Sequence, residues 1–144
     1  MYMRKFCLLL LLAVEAVATA DSPPGAGAST FFFSGWAGPD LPVSLYLPRV
    51  LDKNTPVVIV MHGASRDAAR YFDDWRRAAD EHSLVIVVPK FSDNDFPESA
   101  GYNLGNRVTA NGVANARDHW SFAAIEPLFD DVVDRIGGAQ AMYT

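Results

Sequence analysis

Two unbroken apolar runs organise the chain. Pro56-Val57-Val58-Ile59-Val60-Met61 is rich in β-branched side chains and stops at His62-Gly63. Leu84 to Val88 is the second run and is closed by Pro89. A strand covered on both faces reads as such a continuous run, not as an alternation. Between them, Ala68, Tyr71, Phe72, Trp75, Ala78, Ala79 and His82 recur at three-and-four spacing, and Asp73, Asp74, Arg76, Arg77 and Asp80 fall mainly opposite. That spacing predicts an amphipathic helix over Asp67–His82, with Asp67 able to cap its start. Strand, helix, strand predicts two parallel strands joined by a right-handed crossover.

The flanking segments extend this unit. Leu41, Val43, Leu45 and Leu47 alternate with polar or smaller residues, which predicts a strand over Leu41–Leu47. Thr30 to Trp36 has strand propensity but poor alternation, and Gly38-Pro39-Asp40 is a turn signal. Together they predict an antiparallel hairpin. Asp52-Lys53-Asn54 turns the chain into the first apolar run. Lys90 to His119 is long and rich in Asn, Gly and Asp, so it predicts an irregular loop. Ile125, Leu128, Phe129, Val132, Val133 and Ile136 predict a second helix over Ala123–Ile136, with Pro127 in its first turn and Gly137-Gly138 ending it. Ala139 to Thr144 reads as the run-in to another strand. The fold class is therefore α/β, a hairpin followed by β-α-β-α with helices on the sheet faces.

Composition narrows the setting. A net charge of −5 argues against nucleic acid as a partner, because phosphate binding needs a basic surface. Met1–Ala20 reads as a secretory signal. Arg4 and Lys5 precede the apolar stretch Phe6–Val14, and Ala18-Thr19-Ala20 is a small-residue cleavage site. Glu15 interrupts the apolar run and weighs against a membrane anchor, so no stable insertion is expected after cleavage. Residues 21–29 read as a flexible leader and 30–144 as the folded part. The only cysteine, Cys7, lies in the signal, which leaves no disulfide or thiolate site. The expected location is secreted or periplasmic.

The candidate chemistry centres on His62-Gly63-Ala64-Ser65. A Gly corner after a buried strand brings backbone N–H groups close to whatever lies above the strand end. The amides of Ala64 and Ser65 are candidate oxyanion donors. The plainer alternative is an ordinary strand-to-helix turn. Ser99, in Pro97-Glu98-Ser99-Ala100-Gly101, imitates a nucleophile turn, but no strand precedes it and no helix pattern follows it. His62, His82 and His119 suit packing, capping and loop hydrogen bonds, and no multi-ligand metal spacing occurs. Phe91, Phe96, Tyr102, Asn103 and Trp120 either line a substrate mouth or anchor the long loop to the body.

The segment Pro56–Gly63 followed by Arg66-Asp67, with Val85–Pro89, Gly101-Tyr102-Asn103-Leu104-Gly105-Asn106, Trp120-Ser121-Phe122 and Ile125–Asp130, resembles the secreted α/β-hydrolases near polyhydroxyalkanoate depolymerases and feruloyl esterases. The resemblance covers about residues 40–144. It implies an exported serine hydrolase acting on small-molecule or polymeric carboxylic esters, without a cofactor. It also implies that the nucleophile-elbow strand, acid and catalytic His follow beyond residue 144. On this reading the chain holds the oxyanion corner and no triad residue, and is inactive alone. It further places the next strand beside Pro56–Met61, so an open apolar edge and poor solubility are expected of the chain by itself. A small exported ligand-binding protein and a non-functional truncated product are the alternatives.

Overall fold

A computed structural model describes residues 25–109 and 111–137. The expected signal over 1–20 and the expected run-in over 139–144 lie outside the described residues. Four strands form one mixed sheet: β1 (Gly27–Phe33), β2 (Leu41–Leu47), β3 (Val57–Ile59) and β4 (Val85–Pro89). Their spatial order is β1-β2-β4-β3. β1 and β2 form the expected antiparallel hairpin, with Phe31 opposite Val43 and Phe33 opposite Leu41. β2 runs antiparallel to β4, and β3 runs parallel to β4 with Val58 opposite Ile86.

The two-residue strand period divides the core into two layers. Val57, Val85 and Val87 point to one face, where they meet Val43, Leu45, Leu47, Leu128, Phe129 and Val132. Ile86, Val88 and Val60 point to the other face and meet Tyr46, Ala68 and Ala79. Helix α1 (Ala68–His82) thus covers one face, and α3 (Ile125–Arg135) the other. This double cover is why β4 is apolar at every position, and all five of its residues are buried. Each buried aliphatic side chain contributes about 1.5–3 kcal/mol relative to exposure.

The helix ends are set by local chemistry. The Asp67 side chain accepts a hydrogen bond from the Arg70 N–H at 3.1 Å and caps α1. Ser83 leaves the helix in the left-handed conformation, with its N–H bonded to the Ala79 carbonyl. Ser121–Ala124 form a 3₁₀ turn that feeds α3, so the α-helix begins two residues after the expected start.

Some boundaries differ from the sequence pattern. β1 opens at Gly27, three residues ahead of Thr30 and inside the stretch expected as leader, because pairing with Leu47 and Tyr46 recruits Gly27 and Ala28. As an edge strand, β1 needs only one buried face, and Phe32 points outward at 70% exposure. The apolar stripe of α1 is not covered throughout: Ala68 and Ala79 are buried, whereas Trp75 is 37% exposed and His82 lies at the surface. β3 is the other edge: beyond β4 it has no strand partner among the described residues.

Leu45, 1% exposed in the larger core layer, is the sensitive position of this sheet. Leu45→Ala is expected to destabilise the chain by about 2–5 kcal/mol in denaturant unfolding. Phe32→Ser at the exposed edge is expected to stay within about 0.5 kcal/mol. Equal losses at both positions would contradict the assigned layers.

Candidate functional site

The parallel pair β3–β4 brings two strand ends to the same edge of the sheet, which is where open α/β sheets place their ligands. His62 leaves β3 there and is 3% exposed. Its ring is committed on both sides. The Phe91 N–H donates to Nε2 at 3.0 Å, so Nε2 is an acceptor and the proton sits on Nδ1. Nδ1–H in turn donates to the Gly63 carbonyl at 3.0 Å. Burial lowers the His62 pKa below its ordinary value, and the nearby Arg66 and Lys90 cations lower it further against the Gly63 hydrogen bond and Asp93. His62 is therefore a neutral brace between the two strand ends, with no nitrogen free to act as a base.

The turn after His62 is closed by the Arg66 N–H donating to the Gly63 carbonyl at 3.1 Å. Ala64 and Ser65 are its two central residues. Both are exposed, and neither amide finds an acceptor among the described residues. Gly63 itself keeps a negative φ; the left-handed residue of the corner is Arg66, at φ 57°. A Cβ at 63 would stand 3.0 Å from the Tyr71 hydroxyl oxygen, so a larger residue there would have to displace the tip of that side chain.

Arg66 is the residue that sequence reasoning passed over. Its guanidinium is buried and donates to the carbonyls of Phe91 at 3.2 Å, Phe96 at 2.7 Å and Glu98 at 2.7 Å. Its Nε faces the Asp93 carboxylate at 3.2 Å, and its plane lies 4.4 Å from the centroid of the Tyr102 ring. Tyr102 donates its hydroxyl to the His62 carbonyl at 2.7 Å. Burial raises the Tyr102 pKa, opposed by the Arg66 cation, so the phenol keeps the proton this bond requires. Gly101 lets the short helix α2 (Glu98–Gly101) sit directly on Phe96, where a Cβ would come within 2.6 Å of backbone. In the sequence Arg66 stands out only as part of the Arg66-Asp67 pair that helps carry the resemblance, between the Gly corner and the helix cap.

The expected substrate-mouth residues divide. Phe91 and Tyr102 are 0% and 2% exposed, and Phe96 is buried with them. Phe91 stacks on Tyr102 at 5.0 Å and meets Phe96 edge-on at 4.9 Å. Buried in this way, the three rings anchor the loop to the body, the second of the two readings open from the sequence. Asn103 is exposed, and Trp120 is half-buried with its indole N–H donating to the Asn115 carbonyl at 3.1 Å. Ser99 sits exposed within the single turn of α2, with no strand leading into it, and so lacks the geometry of a nucleophile elbow. His82 and His119 lie at the surface. Among the described residues no three His, Cys, Asp or Glu side chains converge on a metal-sized site, and no helix is long and apolar enough to cross a membrane.

Solved structures carry the same arrangement of elements. The chain superposes on poly(aspartic acid) hydrolase-1 from Sphingomonas sp. KT-1 with a TM-score of 0.77 and 40% identity, over 81% of this chain and 44% of that one. It superposes on the poly(3-hydroxybutyrate) depolymerase from Bordetella parapertussis with a TM-score of 0.69 and 32% identity, over 81% of this chain and 39% of that one. This chain thus spans less than half the length of either structure. No family model and no curated protein sequence matches it. At these identities the likeness extends beyond shape, and the fold is that of a depolymerase-like α/β hydrolase.

Two outcomes follow from the buried brace. Arg66→Met leaves the Phe91, Phe96 and Glu98 carbonyls without their donor and is expected to cost about 3 kcal/mol or more. Asp93→Asn, at the exposed end of the same ion pair, is expected to cost less than about 1 kcal/mol. Similar losses in denaturant unfolding would contradict the hub. The His62 ring, followed by NMR, is expected to titrate with a midpoint below about 6.5. Because the folded pKa is the lower one, the unfolded chain binds the proton first. The His62 contribution to stability is therefore fully present above about pH 6.5 and is lost as pH falls below it. A midpoint at or above that value would contradict the buried neutral ring.

Proposed function

We propose that this chain carries the oxyanion side of a serine acyl hydrolase acting on carboxylic esters, polymeric ones included. One observation carries the reading: two adjacent backbone amides, Ala64 and Ser65, are left without acceptors at the end of β3 while everything around them is braced. When a nucleophile adds to an acyl carbonyl, the oxygen gains negative charge, and fixed N–H donors stabilise it without reorganising. One such donor is worth about 3–4 kcal/mol of transition-state stabilisation.

The similar structures support the substrate class. Poly(aspartic acid) and poly(3-hydroxybutyrate) are both cleaved at a backbone carbonyl, the first at an amide and the second at an ester. Both reactions pass through the same tetrahedral oxyanion. The sequence contains no Gly-x-Ser-x-Gly, so nucleophile, acid and catalytic His are assigned to the part of such hydrolases that this chain does not cover. The charged, apolar and small-residue order of Met1–Ala20 supports an exported, secreted or periplasmic product.

The 144-residue chain alone is expected to hydrolyse 4-nitrophenyl butyrate no faster than a heat-denatured control, and a fluorophosphonate probe is expected to leave Ser99 unlabelled. Replacing the aligned part of poly(aspartic acid) hydrolase-1 with this chain is expected to give a chimaera with turnover. In that chimaera, Ala64→Pro removes one donor at the second position of a turn, where proline fits, and is expected to lower kcat about 100-fold or more with KM little changed. A folded, soluble chimaera without turnover, or an unchanged kcat in the proline variant, would contradict the reading.

A further inference from the structure

We propose that Arg107, Trp120 and Arg117 form a subsite for the carboxylates of a polyanionic ligand. The guanidinium of Arg107 lies 5.1 Å from the Trp120 ring centroid and that of Arg117 lies 5.4 Å from it. A guanidinium held against an indole ring keeps N–H groups available for bidentate carboxylate recognition. Arg66, Arg70, Arg76, Arg77 and Arg135 each face a carboxylate. Arg107 and Arg117, like Arg49, face none within ion-pair distance among the described residues, but only these two share a ring. Arg107 and Arg117 thus share one ring without a direct ion pair, while Asp118 and Glu126 line the cleft beside them and balance their charge.

The platform is braced. The Trp120 N–H is held by the Asn115 carbonyl, the Asn115 side-chain amide donates to the Asn106 carbonyl at 2.8 Å, and the Asn106 amide donates to the His119 carbonyl at 3.0 Å. The next residue, Ser121, donates its hydroxyl to the Tyr102 carbonyl at 3.2 Å, and Tyr102 is bonded to His62. The stack is therefore tied through two side chains to the corner that presents Ala64 and Ser65. A cleft of about 460 Å³ opens beside it, lined by Arg117, Asp118, Trp120, Phe122, Ala123 and Glu126. Phe122 is about half exposed there and offers apolar contact for the methylenes between carboxylates. Asp118 and Glu126 repel an anion at that lip, so the ligand's carboxylates are directed to the arginine edges.

That this ligand is the substrate rests on the acyl-hydrolase reading; its binding does not. Calorimetry on the full chain, with octa-aspartate against the isosteric neutral octa-asparagine, separates the two. Octa-aspartate is expected to bind with an affinity that falls as salt rises, and octa-asparagine is not expected to bind. Arg107→Gln and Arg117→Gln are each expected to weaken binding at least about fivefold. Glu126→Gln is expected to strengthen it, and Lys53→Gln, in the turn before β3, to leave it unchanged. Equal binding of octa-asparagine, arginine variants that bind as the parent does, or an equal loss in the Lys53 variant would overturn the subsite. Tighter binding of tripolyphosphate than of octa-aspartate would overturn the assignment to carboxylates. None of these readouts uses turnover, so an active chimaera with no such binding would remove the subsite and leave the hydrolase reading standing.

Discussion

The corner between β3 and α1 depends on one buried cation. Arg66 reaches back from the turn and satisfies three carbonyls of the Phe91–Glu98 segment while lying over the Tyr102 ring. Without that charge, the first part of the long loop would have to bury unsatisfied carbonyls or move out into water. Its ion pair with Asp93 opens to solvent, so the cation is neutralised without a second buried charge. His62 and Tyr102 add two further crosslinks between the same segments. The outcome is a turn whose flanks are fixed and whose two central amides are unused. Such a turn spends its hydrogen bonds on holding position, which is what an electrostatically preorganised site requires.

Much of the fold was legible because burial on both faces writes continuous apolar runs. β4 and α1 follow from Leu84–Pro89 and from the three-and-four spacing of Ala68 to Ala79 with little adjustment. β1 was harder, since an edge strand needs only one buried face and Thr30–Phe33 does not alternate cleanly. The loop was the least legible part. Composition marks Lys90–His119 as irregular, yet it cannot show that Phe91, Phe96 and Tyr102 turn inward while Asn103 turns out. Side-chain direction in such a loop is set by Arg66 and the carbonyls it meets, which lie 25, 30 and 32 residues away in sequence.

The same limit applies to the candidate site. The His62-Gly63 corner stands out because a glycine closes a strand, and it led directly to Ala64 and Ser65. The left-handed residue, however, is Arg66, and Gly63 packs close to the Tyr71 hydroxyl without a positive φ. The Trp120 cluster is invisible to spacing altogether: Arg107 and Arg117 reach one ring because the Asn106–Asn115 bonds and the Arg107–Asn115 and Thr109–Val113 backbone bonds fold the loop back on itself. The proposed acyl-binding corner is supplied by backbone, and the proposed carboxylate subsite by side chains.

The central claim is that the corner presents free amides on a rigid frame, and residue-resolved amide hydrogen exchange tests it most directly. The account predicts fast exchange at Ala64 and Ser65, with strong protection at Val60, whose N–H bonds to Val87, and at Phe91, whose N–H bonds to His62. Protection at Ala64 and Ser65 would mean that their N–H groups are already spent. Fast exchange at Phe91 would mean that the frame is not held. Either result would contradict the account.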